Sequence, residues 1–439
     1  MNNNRTKFSL PLVYKLLLTQ SISLIGTRMT FIALGMWLYQ TRGQTMDLLL
    51  IPVFNELPSL LFGQVIGTFV DRLKKKTVLI LSDLGQVIGT VLLLYAIQKG
   101  VFHTGLLYTV VFIQGFFIAG QEPAADKAIG QLTNSKNRTR VNGLKELTFP
   151  AAGVLAPVLG GLLYVGLGIS GVLLVDFASF LVSGLIVAML EIPEKEPTKY
   201  GRLYQGGFFD QLKAGMGFLR DNKGLLWMVV FMGLFNFLVN GPLELVIPFI
   251  LETSGSEKTV SAMLSIMGMA TALSSLILSS VVLPKRRMSL LSKAMVLTGL
   301  GLVVFGMGRN VFALGGVLFV LMLPLPLINV IFRTTLQEKV PSDIQGRVFA
   351  TAYQLAYGTA PLSFLLAGFL SDKVLQPFLL ANQKHLMGQI VTNYFVSYKS
   401  ASIGIPIIGA GACIIGSSLV LSRMKAIRNI EDGLKTFNK

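Results

Sequence analysis

Few ionisable side chains lie inside the long apolar runs of this 439-residue chain, and those few define the chemistry open to it. Arg28 and Glu56 each fall near the middle of such a run. A charge at the centre of a bilayer costs roughly 2.5–3.5 kcal/mol on insertion scales, so each should have a partner or a task. Arg28 lies about 11 residues, and Glu56 about 9, from the same end of their runs, a depth difference of roughly 3 Å at about 1.5 Å per residue. With consecutive spans as neighbours, the two are expected to pair. The pair has two readings: a proton-sensitive gate or anion site with Glu56 protonated in one state, or a fixed ion pair that orients two helices. Asn236, Asn240 and Glu244 are spaced i, i+4, i+8 and share one helix face. That stripe should face other helices, either lining a cavity or bonding between helices. Gln20, Gln114, Asn329 and Gln354 are weaker polar candidates. Asp83 and Glu122, nearer the ends of their runs, are expected to meet Arg72 or Arg140, and Asp176 has no assignment from sequence.

Several chemistries are excluded. No phosphate-binding Walker loop, HExxH or GxSxG string is present, which argues against an ATP-driven domain or a hydrolase. His103 and His385 have no second ligand at metal spacing, so no metal site and no bound cofactor are expected. Cys413 is the single cysteine, which rules out a disulfide within the chain.

The elements that must carry these residues follow from composition. The chain is 52% hydrophobic and 13% charged, with a mean hydropathy of +0.66. Soluble domains hold about 25% charged residues. Apolar blocks fall at 14–39, 48–70, 77–98, 104–125, 143–167, 169–190, 225–250, 259–282, 288–308, 311–332, 346–370 and 400–422, each long enough to span a bilayer as a helix. The reading is an all-α membrane protein of twelve transmembrane helices in two six-helix bundles. Residues 1–190 form the first bundle, 191–224 a cytoplasmic linker, and 225–439 the second. Residues 371–399 form a longer segment between the last two spans.

The net charge of +17 is distributed by side. With the N-terminus inside, inner segments carry 30 Lys and Arg and outer segments seven, with Arg28 within a span. The positive-inside rule then places both termini and the linker in the cytoplasm. The basic charge is therefore topological, and no nucleic-acid partner is expected. The halves also repeat. Arg140 follows span four and Arg347 follows span ten, while Pro157 in span five corresponds to Pro361 in span eleven. Repeated halves of this kind build transporters that rock about a central site.

The loop after span two reads Gly67-Thr-Phe-Val-Asp71-Arg72-Leu-Lys74-Lys75-Lys76. Gly67 lets helices approach closely, while Asp71 and Arg72 can bond to helix ends and hold the inner side closed. Lys74 stands where the usual string has a second glycine. The second half keeps the basic Pro284-Lys285-Arg286-Arg287 but lacks the Asp-Arg. Span five carries Gly153, Ala156, Pro157, Gly160 and Gly161, small residues about a proline. The first string resembles the signature of the major facilitator superfamily. The second is similar to that superfamily's exporter motif, with Ala156 in place of a glycine. Together with Glu122-Pro-Ala-Ala-Asp126-Lys127, Asp176-Phe-Ala-Ser and Gly346-Arg347-Val348, the chain looks like the macrolide and siderophore exporters of drug:proton antiporter type. An arginine of the drug-exporter motif in span four is replaced by Val111, so its role in proton transfer does not carry over.

The resemblance implies proton-coupled export of a small amphipathic molecule from a bacterial cell membrane, by alternating access. A monomer in membrane lipid is expected, with a small-molecule substrate and the proton gradient as its energy source. An importer, facilitator or lipid flippase would share the fold. A channel or membrane enzyme would need a pore loop or clustered catalytic groups, which are not seen.

Overall fold

A computed structural model describes residues 10–132, 138–192, 208–280, 287–340, 345–383, 391, 393–425, 427 and 430. The described residues are helical almost throughout, as a lipid-embedded backbone requires when no water is present to satisfy its polar groups. Among the described residues, eleven helices are long and apolar enough to cross a membrane. One of them, Ala151–Met189, runs for 39 residues. At about 1.5 Å per residue it would reach roughly 58 Å, about twice the hydrocarbon thickness. It is in fact two spans, because Gly168 leaves helical geometry at φ 67°, ψ −173°. Gly160 lies against Met29, while Asp176 and Ser179 lie against Gly26, one turn away on the same helix. Positions eight residues either side of Gly168 thus reach one level, so the chain folds back there. The expected twelve crossings are met. Their outer surface is apolar: Ile88, Leu162, Leu167 and Leu185 are each at least 60% exposed.

The chain divides into two compact units. The first contains residues 1–43 and 50–204. Its helices are α1 (Leu10–Arg42), α2 (Thr45–Arg72) from residue 50 onward, α3 (Lys75–Gln98), α4 (Thr104–Leu132) and α5 (Arg138–Met189). Gly43 and Gly100, at φ 69° and 68°, end α1 and α3 in the left-handed conformation that glycine adopts without penalty. The main neighbour of α1 is α5, and α3 lies between α4 and α5.

Two hydrophobic clusters fill this unit. One gathers Val13, Leu16, Val70, Leu79, Ala128 and Val187. The other gathers Ala33, Leu34, Leu93, Val111, Ala156 and Val172. Along α1, α3, α4 and the second half of α5, polar residues lie between those clusters: Ser23, Thr27, Asp83, Gln86, Thr90, Gln114, Gln121, Asp176 and Ser183. A polar layer is therefore held between two apolar ones.

The second unit contains residues 44–49 and 205–439. It comprises α6 (Phe208–Asp221), α7 (Lys223–Glu244), α8 (Val246–Ser254), α9 (Glu257–Ser280), α10 (Arg287–Gly306), α11 (Val311–Met322), α12 (Pro324–Lys339), α13 (Gln345–Tyr357), α14 (Ala360–Phe369), a π-helical turn (Leu370–Leu375), α15 (Gln376–Ala381) and α16 (Tyr398–Arg423). Within the segment read as a linker, α6 is a helix packed against α13. Several spans are interrupted where proline removes a backbone donor: α7 contains Pro242, α12 begins at Pro324, and α14 has Pro361 in its first turn. Serines serve the breaks. Ser274 Oγ donates to Leu323 O at 2.6 Å, and Ser363 Oγ accepts from Gly241 N at 2.7 Å.

Helices α10 and α16 form the closest pair of this unit, and the sequence explains why. Ser292, Gly299 and Gly306 recur every seven residues on α10, as do Gly404, Gly411 and Ser418 on α16. They meet in antiparallel order. Ser292 and Ser418 hydrogen-bond through their hydroxyls at 2.8 Å, while Gly299 faces Gly411 and Gly306 faces Gly404. Small residues let lipid-embedded helices approach backbone to backbone.

The eleventh span runs further than its apolar block indicates. Ser371, Asp372 and Lys373 end the apolar run at 370, yet the helix continues through the π-turn to Ala381. The reason is local: Asp372 Oδ2 accepts from the backbone N–H of Met46 at 2.6 Å, and Gly368 packs on Met46 and Leu49. Met46 lies at the N-terminus of α2, where free amides favour a carboxylate.

Candidate functional site

The polar layer of the first unit holds two buried carboxyls, Asp83 and Asp176, among buried amides and hydroxyls. Asp83 is 2% exposed. Its Oδ1 accepts from Gln121 Nε2 on α4 at 3.0 Å, and its Oδ2 accepts from Ser183 Oγ on α5 at 3.0 Å. Ser23 on α1 places a second hydroxyl beside it. Gln121 Oε1 in turn accepts from Gln86 Nε2 at 2.9 Å, and Gln86 Oε1 accepts from Thr27 Oγ1 at 3.4 Å. Gln114 Nε2 donates to the backbone O of Gln86 at 3.0 Å and to Thr90 Oγ1 at 3.3 Å. Asp176, 1% exposed, has the hydroxyls of Thr30, Thr90 and Ser179 nearby, while its Oδ1 makes no hydrogen bond among the described residues. Four elements contribute, and the bonded pair Asp83 and Ser183 is 100 residues apart in sequence. Both carboxyls therefore sit among neutral partners, in a setting where charge is expensive and hydrogen bonds are strong.

The expected Arg28–Glu56 pair does not form among the described residues. Arg28 is half-buried on α1 and has other interactions, whereas Glu56 is exposed on α2. Their depths match, but the premise of neighbouring consecutive spans fails. The main neighbour of α1 is α5, and α2 meets α4, where Gly115 seats directly on the Asn55 backbone.

The inner-loop string is clear in part. The side chains of Asp71, Arg72, Arg140 and Arg347, and the surroundings of Gly67, lie outside the described residues. The described lysines bond to helix ends. Lys75 Nζ donates to Val70 O at 2.8 Å and to Leu73 O at 2.9 Å, satisfying carbonyls at the C-terminus of α2. Lys76 Nζ donates to Ala188 O at 2.5 Å at the end of α5. Cations belong at helix C-termini, where carbonyls lack partners. In the second half, Arg287 pairs with Glu338 at 2.7 Å and ties α10 to the end of α12. Asp83, expected near Arg72 or Arg140, bonds to neutral groups instead.

In the span-five motif, Ala156 is fully buried and Gly160 lies so close to α1 that an added Cβ would stand 3.2 Å from Met29 Cα. Pro157 and Gly161 are buried and Gly153 is half-buried. This is close helix packing. Of the span-seven stripe, Asn236 is buried and donates to Ala356 O at 2.9 Å, an interhelical bond. Asn240 and Glu244 are half-buried.

A second group was not singled out from the sequence. Phe349, Tyr353 and Tyr357 lie at i, i+4, i+8 on α13. Tyr353 stacks on Tyr357 at 5.7 Å and meets Phe332 of α12 edge-on at 5.9 Å. The Tyr357 hydroxyl donates to Asn329 Oδ1 at 3.1 Å, and the exposed Arg333 is near enough to act on both tyrosines electrostatically. Tyr357 remains 36% exposed. The patch combines π faces, a polar anchor and a cation, which suits a flat amphipathic molecule. The four-residue spacing is its sequence signal.

Two bundles of membrane-crossing helices, interrupted spans and buried polar layers define a polytopic membrane transport protein. The Major Facilitator Superfamily model matches residues 16–364, and the chain belongs to that family. Macrolide efflux protein A of Streptococcus pyogenes is 24% identical over 381 residues, covering 85% of this chain and 91% of that protein. The multidrug efflux pump Tap of Mycolicibacterium fortuitum is 23% identical over 379 residues, covering 79% and 86%. Among solved structures, a bacterial homologue of the human lysosomal transporter Spinster, inward-facing and unoccupied, superposes with a TM-score of 0.70. It shares 14% identity, with coverage of 98% and 99%. The chain is thus a multi-pass membrane transporter and not an enzyme.

Proposed function

We propose that this protein exports an amphipathic, aromatic small molecule from a bacterial cell in exchange for protons, by alternating access and with both termini in the cytoplasm. The observation that carries the substrate class is the Phe332, Phe349, Tyr353 and Tyr357 cluster beside Asn329 and Arg333. Ring stacking supplies affinity with little geometric demand, each aromatic pair adding about 0.5–1.5 kcal/mol. That suits a transporter that releases its cargo each cycle. The efflux names of the relatives support the direction, and macrolides, siderophores and other natural products fall within the substrate class. The protein would use the proton gradient with no other cofactor, and it would work as a monomer. Arg28 and Glu244, half-buried, remain candidate groups for substrate or proton.

The test is drug susceptibility. A bacterial host lacking its own pumps, expressing the intact chain, should tolerate more macrolide and retain less of a cationic dye than the host alone. Tyr357→Ala and Tyr353→Ala should remove most of that protection at unchanged protein level. Equal protection by the aromatic variants would remove the cluster from the substrate path. No protection against either compound would count against export of this class.

A further inference from the structure

We propose that Asp176, Thr30, Thr90 and Ser179 bind a Na+ ion inside the first bundle. The site is separate from the aromatic cluster and does not depend on proton-driven export; it adds a resident ion to the bundle.

Three helices bring the oxygens together. Asp176 and Ser179 are about one turn apart on the second half of α5, Thr30 is on α1 and Thr90 is on α3. Gly26, one turn before Thr30 on α1, permits the close approach: a Cβ there would stand 2.7 Å from Asp176 Oδ1 and 2.4 Å from Ser179 Oγ. Thr30 differs from the other hydroxyl residues of its helix. Thr19, Ser21, Thr27 and Thr41 each donate to a carbonyl about one turn back. Thr30 is 4% exposed, and its Oγ1 makes no hydrogen bond among the described residues. Asp176 Oδ1, beside it, is in the same condition.

A buried carboxylate needs either a full set of donors or a compensating charge. Asp83 has donors, since Gln121 Nε2 and Ser183 Oγ each serve one of its oxygens. Asp176 has hydroxyls around it and an oxygen that none of them satisfies. Arg28 lies two residues from both Gly26 and Thr30, and so on the opposite side of α1. A proton does not complete the site. On Oδ1 it would find no acceptor within hydrogen-bond reach, and on Oδ2 it would leave Oδ1 without a donor.

A small cation does complete it. Ca2+ holds oxygens at about 2.3–2.6 Å, and Na+ has nearly the same radius with half the charge, which matches a single carboxylate. Oxygens that share such an ion stand roughly 3.3–5 Å apart. They are neighbours that do not bond one another, as Asp176 Oδ1 and Thr30 Oγ1 are. The hydroxyls lose nothing by ligating. Ser179 Oγ donates to Asp176 O at 2.7 Å and keeps its lone pairs for the ion. Thr90 Oγ1 accepts from Gln114 Nε2 at 3.3 Å and has a second lone pair. Bound there, the ion neutralises Asp176 and joins α1, α3 and α5 at one level.

Binding of radiolabelled Na+ to the purified intact protein in lipid nanodiscs, at neutral pH and without substrate, tests the site. Binding should saturate, yield to unlabelled sodium chloride, and resist choline chloride and calcium chloride. Asp176→Asn should abolish it, and Thr30→Val should weaken it roughly tenfold, the effect of losing one ligand. Glu122→Gln, which alters an exposed carboxyl of the same bundle, should leave it unchanged. Sodium chloride should also raise the unfolding temperature of the wild type above its value in choline chloride, and fail to do so in Asp176→Asn. If Asp176→Asn does not fold, Thr30→Val carries the test, because it removes a ligand with little change of shape. Absence of saturable binding would assign these oxygens to a water molecule or a proton and overturn the proposal. Binding that keeps full affinity in Asp176→Asn or Thr30→Val, or that calcium displaces, would overturn it as well. Neither readout involves drug export, so the site and the export reading stand or fall separately.

Discussion

Replacing Gly411 by alanine should separate α10 from α16. The added methyl would stand 2.5 Å from the backbone oxygen of Gly299, 2.9 Å from Val303 Cγ2 and 3.0 Å from Leu302 Cβ. The oxygen belongs to a helix backbone and has no rotamer to adopt. Ordinary contact at about 3.5 Å therefore requires the helices to move apart by about 1 Å. One heptad away, the Ser292–Ser418 hydroxyl bond of 2.8 Å would stretch past a hydrogen-bonding distance. Overpacking costs about 1–3 kcal/mol, and the serine bond adds about 0.6 kcal/mol, the average for such bonds between membrane helices. Against this, alanine gains up to about 1 kcal/mol in helix propensity over glycine. The net expectation is about 2 kcal/mol of destabilisation. The control is Gly409→Ala on the same helix, where an added Cβ meets nothing within 4 Å. It should be neutral or slightly stabilising. Unfolding of both variants by SDS titration, followed by circular dichroism, reads the difference. If Gly411→Ala proves as stable as Gly409→Ala, the backbone-contact account of this helix pair is wrong.

Other expectations follow from the same geometry. Asn236→Leu should lose the bond to Ala356 O and about 0.6 kcal/mol of stability while leaving dye export within twofold, because the amide is used between helices; a severe transport loss at normal stability would return it to the substrate path. Gly168→Ala should cost about 1 kcal/mol or more in the same SDS titration, since φ 67° is strained for any residue with a Cβ. A double-mutant cycle on Arg287 and Glu338 should give a coupling below about 1 kcal/mol that falls with added salt, as the pair is partly exposed.

The spans were legible because each is a long apolar run, and such a run in lipid has one backbone solution. The fold-back at Gly168 was legible as the join of two runs. The polar layer was not. Ser183 is a polar residue in apolar surroundings, and the carboxyl it serves is brought to it only by the packing of α3 against α5. Hydropathy counts it as noise. The seven-residue spacing of Ser292, Gly299 and Gly306 was present in the sequence, but small residues hardly register on a hydrophobicity scale. The Arg28–Glu56 expectation failed because sequence gives depth along a helix and not which helices are neighbours. Asn236 was correctly placed on a helix-facing side, and the structure gives it the interhelical role. The end of span eleven was missed because Asp372 reads as a loop charge until Met46 is seen to donate to it.

Proton-driven export is read directly from accumulation of a cationic dye by inside-out vesicles holding the intact chain, with the lumen made acidic. Uptake should need the gradient, collapse with a protonophore and be absent from vesicles without the protein. Uptake that ignores the protonophore, or no uptake beyond the empty vesicles, would contradict proton-driven export.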